Sequence, residues 1–335
     1  MDPDSIADVE RVPHGGSDDA ELLDFSANTN PVRPDGVADV YEAALTESTR
    51  YADGFADFRR AAADYVGCAP GDVIPTAGGL TALRLAFGVT ISPGDRVLVP
   101  EPSFGEYARE IRLQGGEPVG VGSDVLVDHD PTEYAAAVVC TPNNPTGELV
   151  DPSELRTFLR ACRDGGTALV VDEAFLDFTD AASLAGESGA IVARSLTKMF
   201  GLPGIRAGFA VATGDLGDRL QTARPTWGLS TPAAAVGTYC LRQTEFVERT
   251  RERVASERSR MREALSERYD VAPSDAPFLL VDVGEESVDA VLDRARQNGI
   301  AIRDARTFPG LDSHVRVAVR RPRENDLLLD ALLER

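Results

Sequence analysis

The chain has 335 residues, 43% of them hydrophobic, enough for about two folded domains with real cores and too many for a disordered or fibrous protein. Acidic residues number 55 against 34 lysines and arginines, and the formal net charge of −21 argues against nucleic acid and anionic membrane surfaces as partners. Read singly, those 34 basic residues contain one lysine, Lys198; the rest are arginines.

The acids are scattered along the chain (Asp18, Asp39, Asp57, Asp215, Glu245) and form no tail. That pattern fits a solvated, halophilic surface in a salt-rich cytoplasm better than a docking face for a basic partner. At molar salt the Debye length is only about 3 Å, so self-repulsion is screened.

In chain order, residues 1–35 are polar and turn-rich and read as an extended arm. The N-terminus is acidic rather than signal-like, and no apolar run reaches the roughly 18 residues of a membrane span. From about residue 50 helical and strand patterns alternate. Phe55, Phe58, Ala62 and Tyr65 keep one helical face, and Leu80, Leu83 and Phe87 another. Short apolar runs follow at 96–99, 136–140, 167–171, 190–193 and 207–212, separated by helical patterns or Gly/Pro/Asn-rich turns. Near-continuous apolar strands between helices predict a mostly parallel sheet covered on both faces, with ligands at the strands' carboxyl ends.

After about residue 215 the character changes. A long charged helix is predicted over 241–267, with Phe246, Val247, Val254, Met261 and Leu265 as its apolar positions. A strand at 278–283, a helix, short strands near 300–303 and 314–319 and a final helix complete a smaller α/β unit. The expected division is an arm at 1–35, a large domain at 36–215 and a small domain at 216–335. No internal repeat or low-complexity tract is found.

Cys68, Cys140, Cys162 and Cys240 lie far apart, which predicts buried thiols in a reducing, cytoplasmic setting rather than a disulfide framework. His129, between Asp128 and Asp130, sits in a polar connection without a further ligand nearby. It reads as a loop residue, and no metal is expected.

Four polar clusters fall at predicted strand ends. Thr76-Ala77-Gly78-Gly79-Leu80 precedes a helix, leaving free N–H groups and the positive end of the helix dipole for an anion such as phosphate. Alone it is more readily a plain turn than an anion site, and it is neither a P-loop nor GxGxxG. Thr141-Pro142-Asn143-Asn144-Pro145-Thr146-Gly147 fixes a turn in which an asparagine can offer its amide to a ligand oxygen. In Val170-Val171-Asp172-Glu173-Ala174-Phe175 an acid ends an apolar strand, where burial is costly without a cation. Ser195-Leu196-Thr197-Lys198, followed by Pro203-Gly204-Ile205-Arg206, holds the lone lysine. Arginine replaces lysine everywhere else, and only an amine forms a Schiff base.

In this order and spacing, over residues 24–320, the clusters resemble the fold-type-I pyridoxal-phosphate enzymes of the aminotransferase class I/II family. The resemblance implies a pyridoxal-phosphate-dependent transferase-like large domain and pyridoxal 5′-phosphate as cofactor. Lys198 would hold it covalently and shuttle protons, and Asp172 would pair with the ring nitrogen. Asn144 would bond the ring's 3-oxygen, and Phe104, in Pro102-Ser103-Phe104, would stack on the ring. The N–H groups of Gly79 and Leu80, with Ser195 and Arg206, would hold the phosphate. Tyr51, in Arg50-Tyr51-Ala52-Asp53, would reach the phosphate of the partner subunit in a homodimer with shared sites. Two departures stand out: Phe175 replaces a tyrosine that commonly bonds the 3-oxygen, and Thr81 replaces a common acid.

Within the family, the details favour the threonine-phosphate decarboxylases of cobalamin biosynthesis, with histidinol-phosphate aminotransferases as the alternative. The supporting segments are His14-Gly15-Gly16, Leu23-Asp24-Phe25-Ser26-Ala27-Asn28-Thr29-Asn30-Pro31, Phe104-Gly105-Glu106-Tyr107 and Val315-Arg316-Val317-Ala318-Val319-Arg320. The implied partner is a small phosphorylated amino-acid substrate. Arg316 would pair with its α-carboxylate. His14, Asn30 and Arg320 are candidates for contacts to its phosphate or for the immediate shell around it. A non-catalytic, metabolite-responsive regulator on the same fold is disfavoured by the retention of Lys198, Asp172 and Arg206.

Overall fold

The computed structural model describes residues 1–334. Its strands are, in chain order, β1 (Leu23–Asp24), β2 (Val73–Thr76), β3 (Arg96–Glu101), β4 (Glu117–Gly122), β5 (Ala136–Cys140), β6 (Ala168–Asp172), β7 (Ala190–Ser195), β8 (Gly208–Val211), β9 (Asp270–Val271), β10 (Phe278–Asp282), β11 (Ile300–Ala301), β12 (Arg303–Asp304) and β13 (His314–Ala318).

Seven of them form the large sheet in the order β2-β8-β7-β6-β5-β3-β4. Every pairing is parallel except those of β8, which runs against both β2 and β7. The sheet is therefore mostly parallel, within an α/β fold. Its side chains alternate between two cores, as the two-residue period of a strand requires. Val139, Val171, Val192 and Phe209 face one core, together with helices Ala56–Val66, Pro152–Gly165 and Thr231–Leu241. Val138, Val170, Ile191 and Ala210 face the other, beneath helices Gly79–Thr90 and Glu106–Leu113.

Two strands escape the apolar-run reading. β4 is glycine- and proline-bearing and mostly half-buried at the sheet edge, so its composition looks like a turn. β2 is four residues long and contains Pro75, yet all four are buried.

A second, antiparallel sheet has the order β12-β13-β10-β9. Phe278, Leu279 and Val281 of β10 join the first of the two cores, along with Val254, Met261 and Leu265 of the helix Thr244–Leu265. The N-terminal arm is stitched to this region. β1 pairs in parallel with β11, the Phe25 N–H donates to Ala301 O at 2.7 Å, and the Ala318 N–H donates to Phe25 O at 2.9 Å.

No disulfide joins the cysteines, and Cys140, Cys162 and Cys240 are buried while Cys68 is half-buried. Among the described residues no helix is long and apolar enough to cross a membrane. No cluster of acids, histidines and cysteines among them could hold a metal, and His129 lies 3.4 Å from the Tyr134 hydroxyl.

Candidate active site

The carboxyl ends of β2, β5, β6 and β7 converge on a cavity of about 280 Å³. Gly79, Leu80, Phe104, Asn144, Asp172, Ser195, Lys198, Arg206, His14 and Arg316 all line it. Ten of the thirteen residues singled out in the sequence thus line one cavity, although they span 303 positions of chain from His14 to Arg316.

The floor is acidic. Asp172 ends β6, is buried, and accepts hydrogen bonds from the Tyr107 hydroxyl at 2.6 Å and the Ala174 N–H at 3.0 Å. Burial pushes its carboxyl up; Tyr107, Ala174 and the charge of Lys198 act against that without cancelling it. The acid at the end of the apolar strand is thus short of a cation. The neighbouring Glu173 is the one with a full partner: it pairs with Arg194 at 2.9 Å, away from the cavity.

Lys198 lies in the one-turn helix Leu196–Met199. Its amine has no hydrogen-bond or ion-pair partner among the described residues and sits 5.7 Å over the Phe175 ring. Burial first, then the Arg316 charge, and more weakly Arg206, pull its ammonium down to about 8; Asp172 works in the opposite sense. An amine so placed passes between its charged and neutral forms near neutral pH, which suits a nucleophile.

The anion cradle is built by close backbone approach. Gly78 has φ +90°, and a Cβ on it would stand 2.6 Å from an Arg206 terminal nitrogen. A Cβ on Gly208 would meet Gly78 C and Arg194 O at 2.7 Å. Glycine at both positions lets β8 and the start of helix Gly79–Thr90 touch. The first N–H groups of that helix have no partner within it and are aimed outward. Arg206, itself in the left-handed region with φ +57°, bonds the carbonyls of Pro203 at 3.2 Å and Ala77 at 3.3 Å. Ser195 shares a 2.8 Å hydrogen bond with Thr197. The Thr81 hydroxyl is turned back onto the Ala77 carbonyl at 3.1 Å.

The opposite wall comes from the small sheet and the arm. Arg316 donates to Asn144 Oδ1 and, at 3.2 Å, to Ser26 O, leaving the Asn144 amide N–H group for a ligand. Register places Arg303 of β12 directly opposite Arg316 of β13. Both are buried, and among the described residues neither has a carboxylate partner and each keeps an Nε without any acceptor. Among the described residues Arg303 bonds Pro13 O and the Thr307 hydroxyl, each at 2.8 Å. Burial, then the charge of Arg303, disfavours the Arg316 cation. Like charges directly opposite on a sheet repel, so this pair awaits an anion.

Three expected residues lie elsewhere. Asn30 is buried in a structural role, bonding Met199 O at 2.8 Å and accepting from Arg253 at 2.8 Å. Arg320 pairs with Glu324 at 3.2 Å, donates to Asp24 O at 2.8 Å and stacks over Phe25. Neither lines the cavity, so among the described residues they stand behind it rather than at its surface. Tyr51 is 82% exposed and stacked on Trp227 at 4.3 Å.

Arg303, Thr307 and Phe308 are among the cavity residues that the sequence did not single out, and Tyr107 was named only as part of a motif. Arg303 looks like one of 33 solvated arginines until the register with Arg316 is known.

The residues present fit the cofactor that the motifs imply. An unpartnered amine, a buried acid lacking a cation, a helix-start cradle beside an arginine, a free amide and the flat ring of Phe104 line a single cavity.

Comparison with known proteins agrees. Residues 21–332 match the family described as aminotransferase class I and II. The chain is 30% identical over 331 residues to histidinol-phosphate aminotransferase 2 of Archaeoglobus fulgidus, covering 94% of each. It is 32% identical over 330 residues to a protein of Caldanaerobacter subterraneus subsp. tengcongensis named "Putative threonine-phosphate decarboxylase", covering 91% of this chain and 88% of the relative. Among solved structures, histidinol-phosphate aminotransferase from Sinorhizobium meliloti in complex with pyridoxal-5′-phosphate superposes with a TM-score of 0.83. It is 23% identical and covers 92% of this chain and 89% of that one.

Proposed function

The chain belongs to the aminotransferase class I and II family, and from that premise we propose that it decarboxylates L-threonine O-3-phosphate to 1-aminopropan-2-yl phosphate. Pyridoxal 5′-phosphate is the cofactor of this enzyme. When bound, it supplies an electron sink for the pair left on Cα when a bond there breaks.

The chain's own residues supply position and charge. Lys198 holds the cofactor and carries a proton at Nζ to and from Cα. Asp172, kept in place by Tyr107, holds the ring nitrogen, and Asn144 the ring oxygen. Gly79, Leu80, Ser195 and Arg206 take the cofactor phosphate, Phe104 lies against the ring, and Tyr51 serves the partner subunit's site in a homodimer. In this reading residues 36–215 carry the cofactor, 216–335 form the small domain, and the arm at 1–35 packs with the small domain.

The observation that carries the substrate assignment is the cross-strand pair Arg303 and Arg316, two buried guanidiniums without a carboxylate. L-Threonine O-3-phosphate brings two anions on a three-carbon frame. Arg316, beside Asn144, would take the α-carboxylate, and Arg303, with the Thr307 hydroxyl, the phosphate. Fixing both ends sets which Cα bond stands in line with the electron sink, and that alignment decides whether carbon dioxide or a proton departs.

A second reading rests on the relative from A. fulgidus, which is as similar to this chain as the decarboxylase relative is: transfer of the amino group from histidinol phosphate. Histidinol phosphate has a phosphate but no α-carboxylate, so it lacks the group assigned here to Arg316. The deciding experiment supplies L-threonine O-3-phosphate to the holoenzyme and measures carbon dioxide release, with Lys198→Ala as control. Release above that control is expected. Release no faster than the control, together with keto-acid-dependent transamination of histidinol phosphate, would reverse the order.

A further inference from the structure

His14 reaches the cavity from the N-terminal arm, and the arm is clamped there. A Cβ on Gly105 would stand 2.7 Å from Val12 Cγ1, and one on Gly15 would stand 2.2 Å from Ser26 O. Arg303 grips the carbonyl of Pro13 at 2.8 Å. Within this clamp His14 Nε2 lies 2.9 Å from Glu106 Oε1, with the imidazole 5.6 Å from the Phe104 ring.

Glu106 is buried behind the cavity lining, between Gly105 and Tyr107, an unusual place for a carboxylate. Its second oxygen accepts from Arg109 at 3.2 Å. Arg109 also bonds Glu110 at 3.1 Å, and Glu110 is held bidentately by Arg84 at 2.6 and 2.8 Å. The row therefore runs from a half-exposed arginine on helix Gly79–Thr90, through a fully buried acid, to an imidazole at the cavity. None of its members touches the cofactor residues Asp172, Lys198 or Arg206.

We propose that Glu106 is a positioning residue for substrate choice: it fixes His14 beside Arg303 so that the imidazole and the guanidinium together select substrates bearing a phosphate. An ionised Glu106 accepts only from an Nε2–H. Nδ1 has no partner among the described residues, so an anion bonded there requires a second N–H. Both bonds together make the ring a cation, and Glu106 compensates that charge from the side away from the ligand. The proposal rests on the assignment of a phosphorylated substrate but not on which Cα bond breaks.

The test compares kcat/KM of the holoenzyme for L-threonine O-3-phosphate with that for L-threonine, in the native protein, Glu106→Gln, His14→Gln and the double variant. The pair histidinol phosphate and histidinol, with a keto acid, is run alongside. A chain that transaminates instead of decarboxylating then still reports on Glu106, while refuting the decarboxylase assignment. The expected result is that each single variant lowers the phosphorylated-to-unphosphorylated ratio about tenfold, mainly through KM, as loss of a charge-assisted hydrogen bond does. The double variant should be no worse than His14→Gln alone. Equal losses on both members of a pair, or effects of the two variants that simply multiply, would overturn the proposal. His14 is half-exposed on the arm, so its variant reports even where Glu106→Gln fails to fold.

Discussion

Tyr107 donates its hydroxyl to Asp172 Oδ2 at 2.6 Å, binding the first turn of helix Glu106–Leu113 to the tip of β6. Burial, then the charge of Asp172, holds the phenol well above its ordinary value, so it stays a donor. Tyr107→Phe leaves the buried carboxylate with the Ala174 N–H and the nearby charge of Lys198. The Asp172 carboxyl should then rise further and serve a ring cation less well. An orphaned buried acceptor costs about 1–3 kcal/mol. The expected outcome is cofactor affinity weaker by at least about tenfold, read by absorbance titration of the apoprotein. Unchanged affinity would show that the hydroxyl plays no such part.

Lys198 makes a pH prediction with a definite sign. Its ammonium is pulled down to about 8 from an ordinary 10.5, by burial first and the Arg316 charge next. Covalent capture of an aldehyde needs the neutral amine. The rate at which apoprotein captures pyridoxal 5′-phosphate should therefore climb with pH and reach half its plateau near 8. Arg316→Ala removes the second cause, so the midpoint should move upward, toward the ordinary lysine value. Stopped-flow absorbance across pH 6 to 10 checks both; a midpoint unmoved or lowered in the variant would contradict the assignment.

The cofactor end of the site was legible in the sequence because it is local. Asp172, Lys198 and the Gly78–Leu80 turn each stand at the end of an apolar strand, and each motif carries its own geometry in a few consecutive residues. The facing wall was legible only in part: the motifs picked out Arg316 and His14, but their partners are set by pairing. Arg303 matters through its register with Arg316, thirteen positions later, and His14 through a carboxylate 92 residues away. Asn30 and Arg320 sit in segments that resemble the substrate end, but hydrogen bonds to Met199 and Arg253 in one case and to Glu324 and Asp24 in the other turn them into the scaffold. Nothing in their immediate neighbours distinguishes them from Arg316.

Arg194 on β7 tests how much of the scaffold depends on buried charge. It pairs with Glu173 at 2.9 Å and with Asp177, and all three are buried. Arg194→Leu leaves two carboxylates buried without their cation, a change that costs about 3–5 kcal/mol. Chemical denaturation of the apoprotein should show a loss in that range. Adding Glu173→Gln and Asp177→Asn should recover part of it, since the uncompensated charge is then gone. A loss below about 1 kcal/mol in the single variant would mean that solvent reaches the site.

Salt should separate that buried trio from the surface. Pairs such as Arg60–Asp57 and Arg249–Glu245 lie on exposed side chains and contribute little individually. The net charge of −21 acts through the whole surface and is screened only when the Debye length shrinks from about 30 Å at 0.01 M to about 3 Å at 1 M. The thermal midpoint should therefore rise on going from millimolar to molar salt, by about 5 °C or more if self-repulsion costs a few kcal/mol. The deficit of Arg194→Leu should be nearly the same at both salt concentrations, because its charges are shielded by protein rather than by ions. A midpoint independent of salt would mean that the scattered acids are too far apart to strain the fold.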